Sequence, residues 1–271
     1  MRIAFWTTYF PVEDSSRKLE IDTCLRINAE NPKVDALYIL VEGGAVVPVE
    51  NSKIIKLPID TRPAFSTFFE FYKRYEGADT INVLLNSDIV VDYRHTDLFK
   101  HVEKNMLFAI TRYEIVSECP HPSTMEDLSK VRVELYLSVS NGTFYVNEEY
   151  SSSQDVWAIR GYPSNPSLFV EQLGVPACDG RVAYNFLSVN YLIYNPCLSI
   201  YTYHFHRSKE RNYPNRYLGD TLHIRPTNIA GVLSGKNNQS IVYCDEVWPP
   251  ILTKPKAFSL SSMIKKKSSL L

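Results

Sequence analysis

The sequence predicts an α/β protein with a mostly parallel central sheet flanked by helices. Three observations carry this. Short apolar runs of strand length alternate with stretches of helical period through the first third of the chain. The second is the order of these stretches, a βαβ rhythm, which builds parallel sheets with right-handed crossovers. The third observation locates the working edge: the run INVLL at 81–85 is all core, yet it delivers Asn86, Ser87 and Asp88 at its end before the chain turns apolar again. In open α/β sheets, ligands bind in the crevice beyond the carboxyl ends of the strands. The alternative for Asp88 is a turn cap.

Residues 2–8 read as a short apolar strand. Residues 15–28 show helical spacing at Leu19, Cys24 and Ile27, with Ser15 or Ser16 placed to cap the first turn. Strands two and three cover 36–42 and 53–57. Residues 64–75 put Phe65, Phe68, Phe69 and Tyr72 on one helical face. Strand four is 81–85, and another central strand covers 107–111. Residues 117–130, polar and proline-bearing, read as a mobile loop. Residues 179–190 form a helix opened by Asp179, with Val182, Ala183, Phe186 and Leu187 as its apolar stripe. Residues 200–206 alternate like a strand, so His204 and His206 share a face.

With 271 residues, 45% of them hydrophobic, the chain buries a full core as one large domain or two fused halves. A formal net charge of −1 argues against a nucleic-acid partner, because such proteins carry a strongly basic face. Five cysteines, an odd number without CxxC spacing, fit free thiols in a reducing compartment better than a disulfide framework or a zinc site. The N-terminus begins directly as a strand, without the layout of a signal peptide. No apolar run approaches the ~18 residues that span a bilayer. The expectation is a soluble, cytoplasmic protein. Its tail reads as a peripheral extension, with weak membrane-surface contact through Lys265, Lys266 and Lys267 as the alternative.

The first βα turn, Thr7-Thr8-Tyr9-Phe10-Pro11, has no glycine. Loops that cradle phosphate with backbone amides need glycine there. A diphosphate bound without such a loop calls for a divalent ion held by carboxylates. Asp88 is placed for that, with Asn86 or Ser87 toward a ribose or a metal-bound water. One carboxylate is a thin site, so His204 and His206 are candidate second ligands. Arg207 and Arg211 lie near them in sequence, and imidazole with arginine suits a metal–diphosphate pair. Taken singly, either histidine reads equally as a hydrogen-bonded core residue.

The stretches NSDI at 86–89, SQDVWAIRG at 153–161, GVPACDGRVAYNF at 174–186, YNPCLSIYTYHFHRS at 194–208 and RNY at 211–213 resemble GT-A-fold glycosyltransferases. The similarity is to cytosolic sugar transferases of bacterial polysaccharide clusters and of large DNA viruses. The resemblance implies a GT-A, Rossmann-like catalytic domain over 1–245, with a nucleotide-binding half at 1–92, an acceptor half at 105–245 and an extension at 246–271. It implies a nucleotide-sugar donor, here a UDP-sugar, a glycan or glycoconjugate acceptor, and Mn²⁺ or Mg²⁺. Thr7, Thr8 and Tyr9 would lie against base and ribose, and Asp88 would be the metal-binding aspartate of a DxD-type motif whose first acid is here Asn86. The final-strand histidine would ligate the metal, His206 ahead of His204. Asp155 and Trp157 would face donor sugar or acceptor, and Asp179 sits where inverting members carry the catalytic carboxylate.

Inverting transfer needs one carboxylate to take the acceptor proton and one charge to stabilise the departing diphosphate, so this residue set is chemically sufficient. The alternative for Asp179 is a helix N-cap. Two other functions stay open. A sugar nucleotidyltransferase would share the sheet, but normally carries the glycine- and arginine-rich first loop that is missing here. A non-catalytic nucleotide- or glycan-binding module of the same fold would explain Asn86.

Overall fold

A computed structural model describes residues 1–116, 122–136, 153–207, 219–224, 227–234, 241–246 and 256–258. The predicted elements form, with small shifts of boundary. In chain order they are β1 (Ile3–Tyr9), α1 (Ser15–Glu30), β2 (Ala36–Glu42), β3 (Ile54–Ile59), α2 (Phe65–Tyr75), β4 (Ile81–Leu85) and β5 (Ile89–Val91). There follow β6 (Met106–Ile110), β7 (Tyr113–Ile115), α3 (Met125–Leu128), β8 (Val133–Leu135), β9 (Val156–Arg160), α4 (Cys178–Ser188), β10 (Leu192–Tyr194) and β11 (Thr202–His204). Beyond these lie β12 (Gly219–His223), α5 (Ile229–Leu233), β13 (Ile241–Glu246) and β14 (Lys256–Phe258), the three strands making a small sheet of their own. Among the described residues, no helix is long and apolar enough to cross a membrane.

The central sheet has seven strands in the order β10-β6-β9-β4-β1-β2-β3. It is α/β and mostly parallel. Its exception is β9, which enters between β4 and β6 and runs antiparallel to both. Both faces are covered, so each strand buries alternate residues in two different cores. On β1, Ile3, Phe5 and Tyr9 join one core while Ala4 and Trp6 join the other. The second core takes the aromatic face of α2 (Phe65, Phe68, Phe69, Tyr72) and the apolar stripe of α4. Burying one such aromatic contributes about 1.5–3 kcal/mol, so this layer anchors both helices on the sheet.

The chain turns apolar again after Asp88 because it changes sheets. After β4 the chain leaves the central sheet, to return at β6, and β5 opens a four-stranded sheet of order β5-β11-β7-β8. Asn86, Ser87 and Asp88 are the link between the two. Helix α1 is wedged across this junction. Ile21, Leu25 and Ala29 pack on the central sheet, while Cys24 and Ile27 pack beneath the smaller one. The Asn28 amide stands in for a strand partner, donating to Ile89 O at 2.7 Å and accepting from Val91 N at 3.1 Å.

Three expectations are corrected. The cap of α1 is Asp14, whose carboxylate accepts from Arg17 N at 2.5 Å, so Ser15 is already the first helical residue. Leu19 is 59% exposed, because the faces of α1 that pack are set by two sheets rather than by one apolar stripe. Within 117–130, residues 122–130 are folded: Thr124 and Asp127 cap α3 reciprocally, and Leu128 is buried in the core under the smaller sheet. Residues 117–121 lie outside the described residues, as do Arg211, Lys265, Lys266 and Lys267.

Candidate active site

A cleft of about 370 Å³ opens at the carboxyl ends of β1, β2 and β4, bounded by the start of α4 and by the end of β11. Asn86, Ser87, Asp88, Asp155, Asp179, His204 and His206 all line it. These residues come from segments up to 120 positions apart, and the two-sheet junction brings them together.

Asp88 is the focus of one end. Its Oδ2 receives Arg17 Nη2 at 2.6 Å and lies 3.3 Å from His204 Nε2 and 3.2 Å from His206 Nδ1. The two histidines reach it together because β11 pairs antiparallel with β5 and Phe205 N donates to Asp88 O at 2.8 Å, leaving residues 204 and 206 on one side. Desolvation raises the Asp88 pKa, but His204, His206 and Arg17 outweigh it and hold the carboxylate well below its ordinary range. The ring's other nitrogen, His204 Nδ1, lies 2.8 Å from Glu114 Oε2. Against desolvation, which lowers it, Asp88 and Glu114 raise His204 to about 9. Glu114 in turn falls to about 2, its burial overcome by the His204 contact.

Arg112 carries the network to the other end. It donates to Glu114 Oε1 at 2.7 Å, to both Asp155 oxygens at 2.9 Å and to Ser153 Oγ at 2.7 Å. The Tyr136 ring lies 4.3 Å from its guanidinium carbon. Asn86 donates from Nδ2 to Asp155 Oδ1 at 2.9 Å. An acid at position 86 would face Asp155 with like charge, whereas the amide donates to it. The Asn86 Oδ1 atom is buried without a partner and is the acceptor this wall still offers.

Asp179 lies in the first turn of α4 but does not cap it. The cap position is Ala177, held at φ 65°, and the Asp179 carboxylate instead accepts from Gln154 N at 3.2 Å. Desolvation and the neighbouring charge of Asp155 raise its pKa from 3.8 to about 7. A carboxyl poised there can take a proton near neutral pH.

Other expected site residues lie elsewhere. Of the β1 group, Thr8 lines the cleft; Thr7 is buried, and Tyr9 is buried with its hydroxyl between Asp22 and Lys18. Trp157 is 2% exposed and packs edge-on against Phe65, so it belongs to the core and not to the cleft wall. The reason is position along β9: Asp155 precedes the strand, at the sheet edge beside Asn86, whereas Trp157 lies inside it between β4 and β6 and packs under α2. Arg207 uses its backbone N–H to bond Glu20 Oε1 at 2.7 Å and does not line the cleft. Arg17, Glu20, Arg112 and Glu114 were not expected. The i,i+3 pair Arg17–Glu20 on the first helix and the alternation of Arg112 with Glu114 were the available signals, but surface charges show the same patterns.

The donor set fits a divalent cation. Asp88, His204 and His206 offer ligand atoms within 4.8 Å of one another. An ion roughly 2.1 Å from each donor would set neighbouring donors ~3 Å apart, close to the contacts seen. One carboxylate with two imidazoles favours Mn²⁺ and its neighbours over Mg²⁺, which prefers oxygen. Asp88 and Glu114 hold the His204 pKa up at about 9, so a cation taking its Nε2 near neutral pH would displace a proton.

A comparison with family models found no match, and neither did one with curated proteins. Among solved structures, the chain is similar to an active-site mutant of LgtC, at 10% identity and a TM-score of 0.31, over 58% of this chain and 57% of that one. It is also similar to the apo form of the glycosyltransferase GlyE from Streptococcus pneumoniae TIGR4, at 10% identity and a TM-score of 0.39, over 100% of this chain and 64% of that one. The chain thus spans less than two thirds of the length of each. These likenesses concern architecture alone.

Proposed function

We propose that this protein is a metal-dependent, inverting glycosyltransferase that moves a sugar from a UDP-sugar to a glycan hydroxyl. One observation carries the reading: a single cleft at the strand ends holds a carboxylate–imidazole cluster and, on its other wall, a carboxyl whose pKa is raised to about 7. The sequence resemblance in the stretches around Asp88, Asp155, Asp179 and His204 supports the same chemistry. The half at 1–92 would supply Thr8, Asn86, Ser87 and Asp88 to the nucleotide, and the half at 105–245 the base and the histidines.

In this scheme Asp88, His204 and His206 hold Mn²⁺, which when bound offsets the charge of the departing diphosphate. Asp179 accepts the proton of the attacking hydroxyl as the new glycosidic bond forms on the face opposite the leaving group. Asn86 Oδ1 and Ser87 accept and donate hydrogen bonds to the donor. Asp155, fixed by Arg112 and Ser153, keeps Asp179 a strong enough base. The buried thiols of Cys24, Cys178 and Cys197 are free, which fits a reducing compartment. The test is UDP release from a panel of UDP-sugars with Mn²⁺. Slow, chelator-sensitive hydrolysis is the expected result, and full turnover in excess chelator would refute the metal's part. Pyrophosphate-dependent chemistry would instead identify a nucleotidyltransferase.

A further inference from the structure

Arg17 is the arginine that touches the prospective metal-binding oxygen, beside the two histidines. Its guanidinium has two distinct arms. Nη1 is anchored away from the cluster, to Glu20 Oε2 at 3.1 Å and to Phe205 O at 3.3 Å. Nη2 alone reaches Asp88, at 2.6 Å, on the same Oδ2 that faces both histidines. Glu20, 1% exposed, is itself fixed by Arg207 N, so the anchor is rigid. Arg17 and Asp88 side chains are each 11% exposed, and both border the cleft. The pair is therefore shielded but open to a ligand on one side.

A divalent cation on Asp88 Oδ2 would stand no more than about 5 Å from Nη2, and like charges so close in a shielded site repel strongly. The oxygen can serve one cation or the other. We propose that Arg17 is an exchange residue: it helps neutralise Asp88 while the metal is away, and on metal binding its planar guanidinium pivots as a unit about the Nη1 contacts, carrying Nη2 from Asp88 to a phosphate oxygen of the donor diphosphate. This rests on the metal–diphosphate reading given above and adds a residue to it. The anchor through Nη1 keeps the guanidinium beside the metal, so only a side-chain rotation is needed. Arginine suits both duties, because its donors match a carboxylate and a phosphate equally well. The exchange also makes metal and nucleotide binding mutually reinforcing: the ion liberates the arm that the diphosphate needs, and the diphosphate satisfies the arm that the ion displaced.

The test separates two affinities on the full chain. Mn²⁺ binding without nucleotide is measured by electron paramagnetic resonance, and UDP binding at saturating Mn²⁺ by calorimetry. Arg17→Gln removes the competing charge and should bind Mn²⁺ about tenfold more tightly, while its UDP affinity falls about 10–100-fold with the lost charge-assisted bond. Arg17→Lys retains the charge and should return Mn²⁺ affinity toward wild type and restore part of the UDP affinity. Opposite shifts of this kind are not produced by general loss of structure, which weakens both. Weaker Mn²⁺ binding in Arg17→Gln than in a well-folded wild type, or unchanged UDP affinity, would overturn the exchange. Wild-type protein that binds no Mn²⁺ with or without UDP would overturn the metal reading and the exchange with it.

Discussion

Asp88 and Asp179 are carboxylates on the walls of one cleft, and the protein holds them in opposite states. Asp88 is surrounded by Arg17, His204 and His206 and stays ionised far into acid. At Asp179, burial and the negative field of Asp155 outweigh the backbone N–H bonds and the more distant charge of Arg112, and its pKa climbs to about 7. Burial pushes the pKa of both side chains up, so desolvation alone does not separate them. The sign of the nearest charge does. Two identical side chains thereby acquire the different charge states that the proposed roles of cation holder and proton acceptor require. Arg112 is what makes the two ends one system, since it grips Glu114 behind His204 and Asp155 beside Asp179.

The comparison breaks most completely at Asp88. Asp88→Ala should abolish Mn²⁺-dependent UDP binding and lower turnover by roughly 10³-fold or more, the scale of several kcal/mol of lost charge stabilisation. Calorimetry with UDP and Mn²⁺ reads the first effect and UDP release the second; wild-type-like values for either would remove Asp88 from the metal role.

At the other end, Asp179→Asn should cut kcat by about 10²–10⁴-fold while sparing donor affinity. Wild-type kcat/KM should rise with pH through about 7, where Asp179 loses its proton, and the variant's residual rate should lack that limb. Stability supplies an independent reading. The folded pKa lies above the ordinary 3.8, so the protonated form's stabilisation is complete below about pH 4 and is lost as pH rises through about 7. Across that window wild type should lose on the order of a few kcal/mol relative to Asp179→Asn, measured by urea unfolding at several pH values. Parallel pH curves for the two proteins would show that Asp179 titrates as an ordinary carboxylate.

Arg112→Met sharpens the link between the two ends. Leaving Glu114 and Asp155 without their shared cation should cost about 3–5 kcal/mol of stability. It should also move the midpoint of the pH–rate limb above 7, because the Asp155 charge is no longer offset. A destabilised variant with an unmoved midpoint would confine Arg112 to holding the fold.

The smallest change is Asn86→Asp, which replaces the donor to Asp155 by a like charge. About 1–3 kcal/mol of destabilisation is expected above pH 5, with no gain in Mn²⁺ affinity. Tighter Mn²⁺ binding in that variant would show that position 86 faces the ion rather than Asp155.

The elements that build the site were open to sequence reasoning, because burial leaves a local period. The runs that became β1, β2, β4 and β6 are apolar over the length of a strand, the aromatic face of α2 repeats at helical spacing, and alternation put His204 and His206 on one face. The carboxylate at the end of β4 could be placed in the crevice from the same pattern. The rest was decided by packing between distant segments. Arg17 meets Asp88 across 71 residues, and His204 meets it across 116. Nothing local at Arg17 distinguishes it from any cation on a helix's first turn, and nothing local at Trp157 distinguishes a sugar platform from a core indole. The antiparallel entry of β9 between β4 and β6 settled Trp157, and the wedge of α1 between two sheets settled Arg17 and Glu20. Nor could residue type alone assign the two aspartates their states. A sequence records which side chains prefer to be buried, through periods of a few residues. Which charge ends beside which carboxylate depends on strand order and helix placement, and those exist only once the chain has packed.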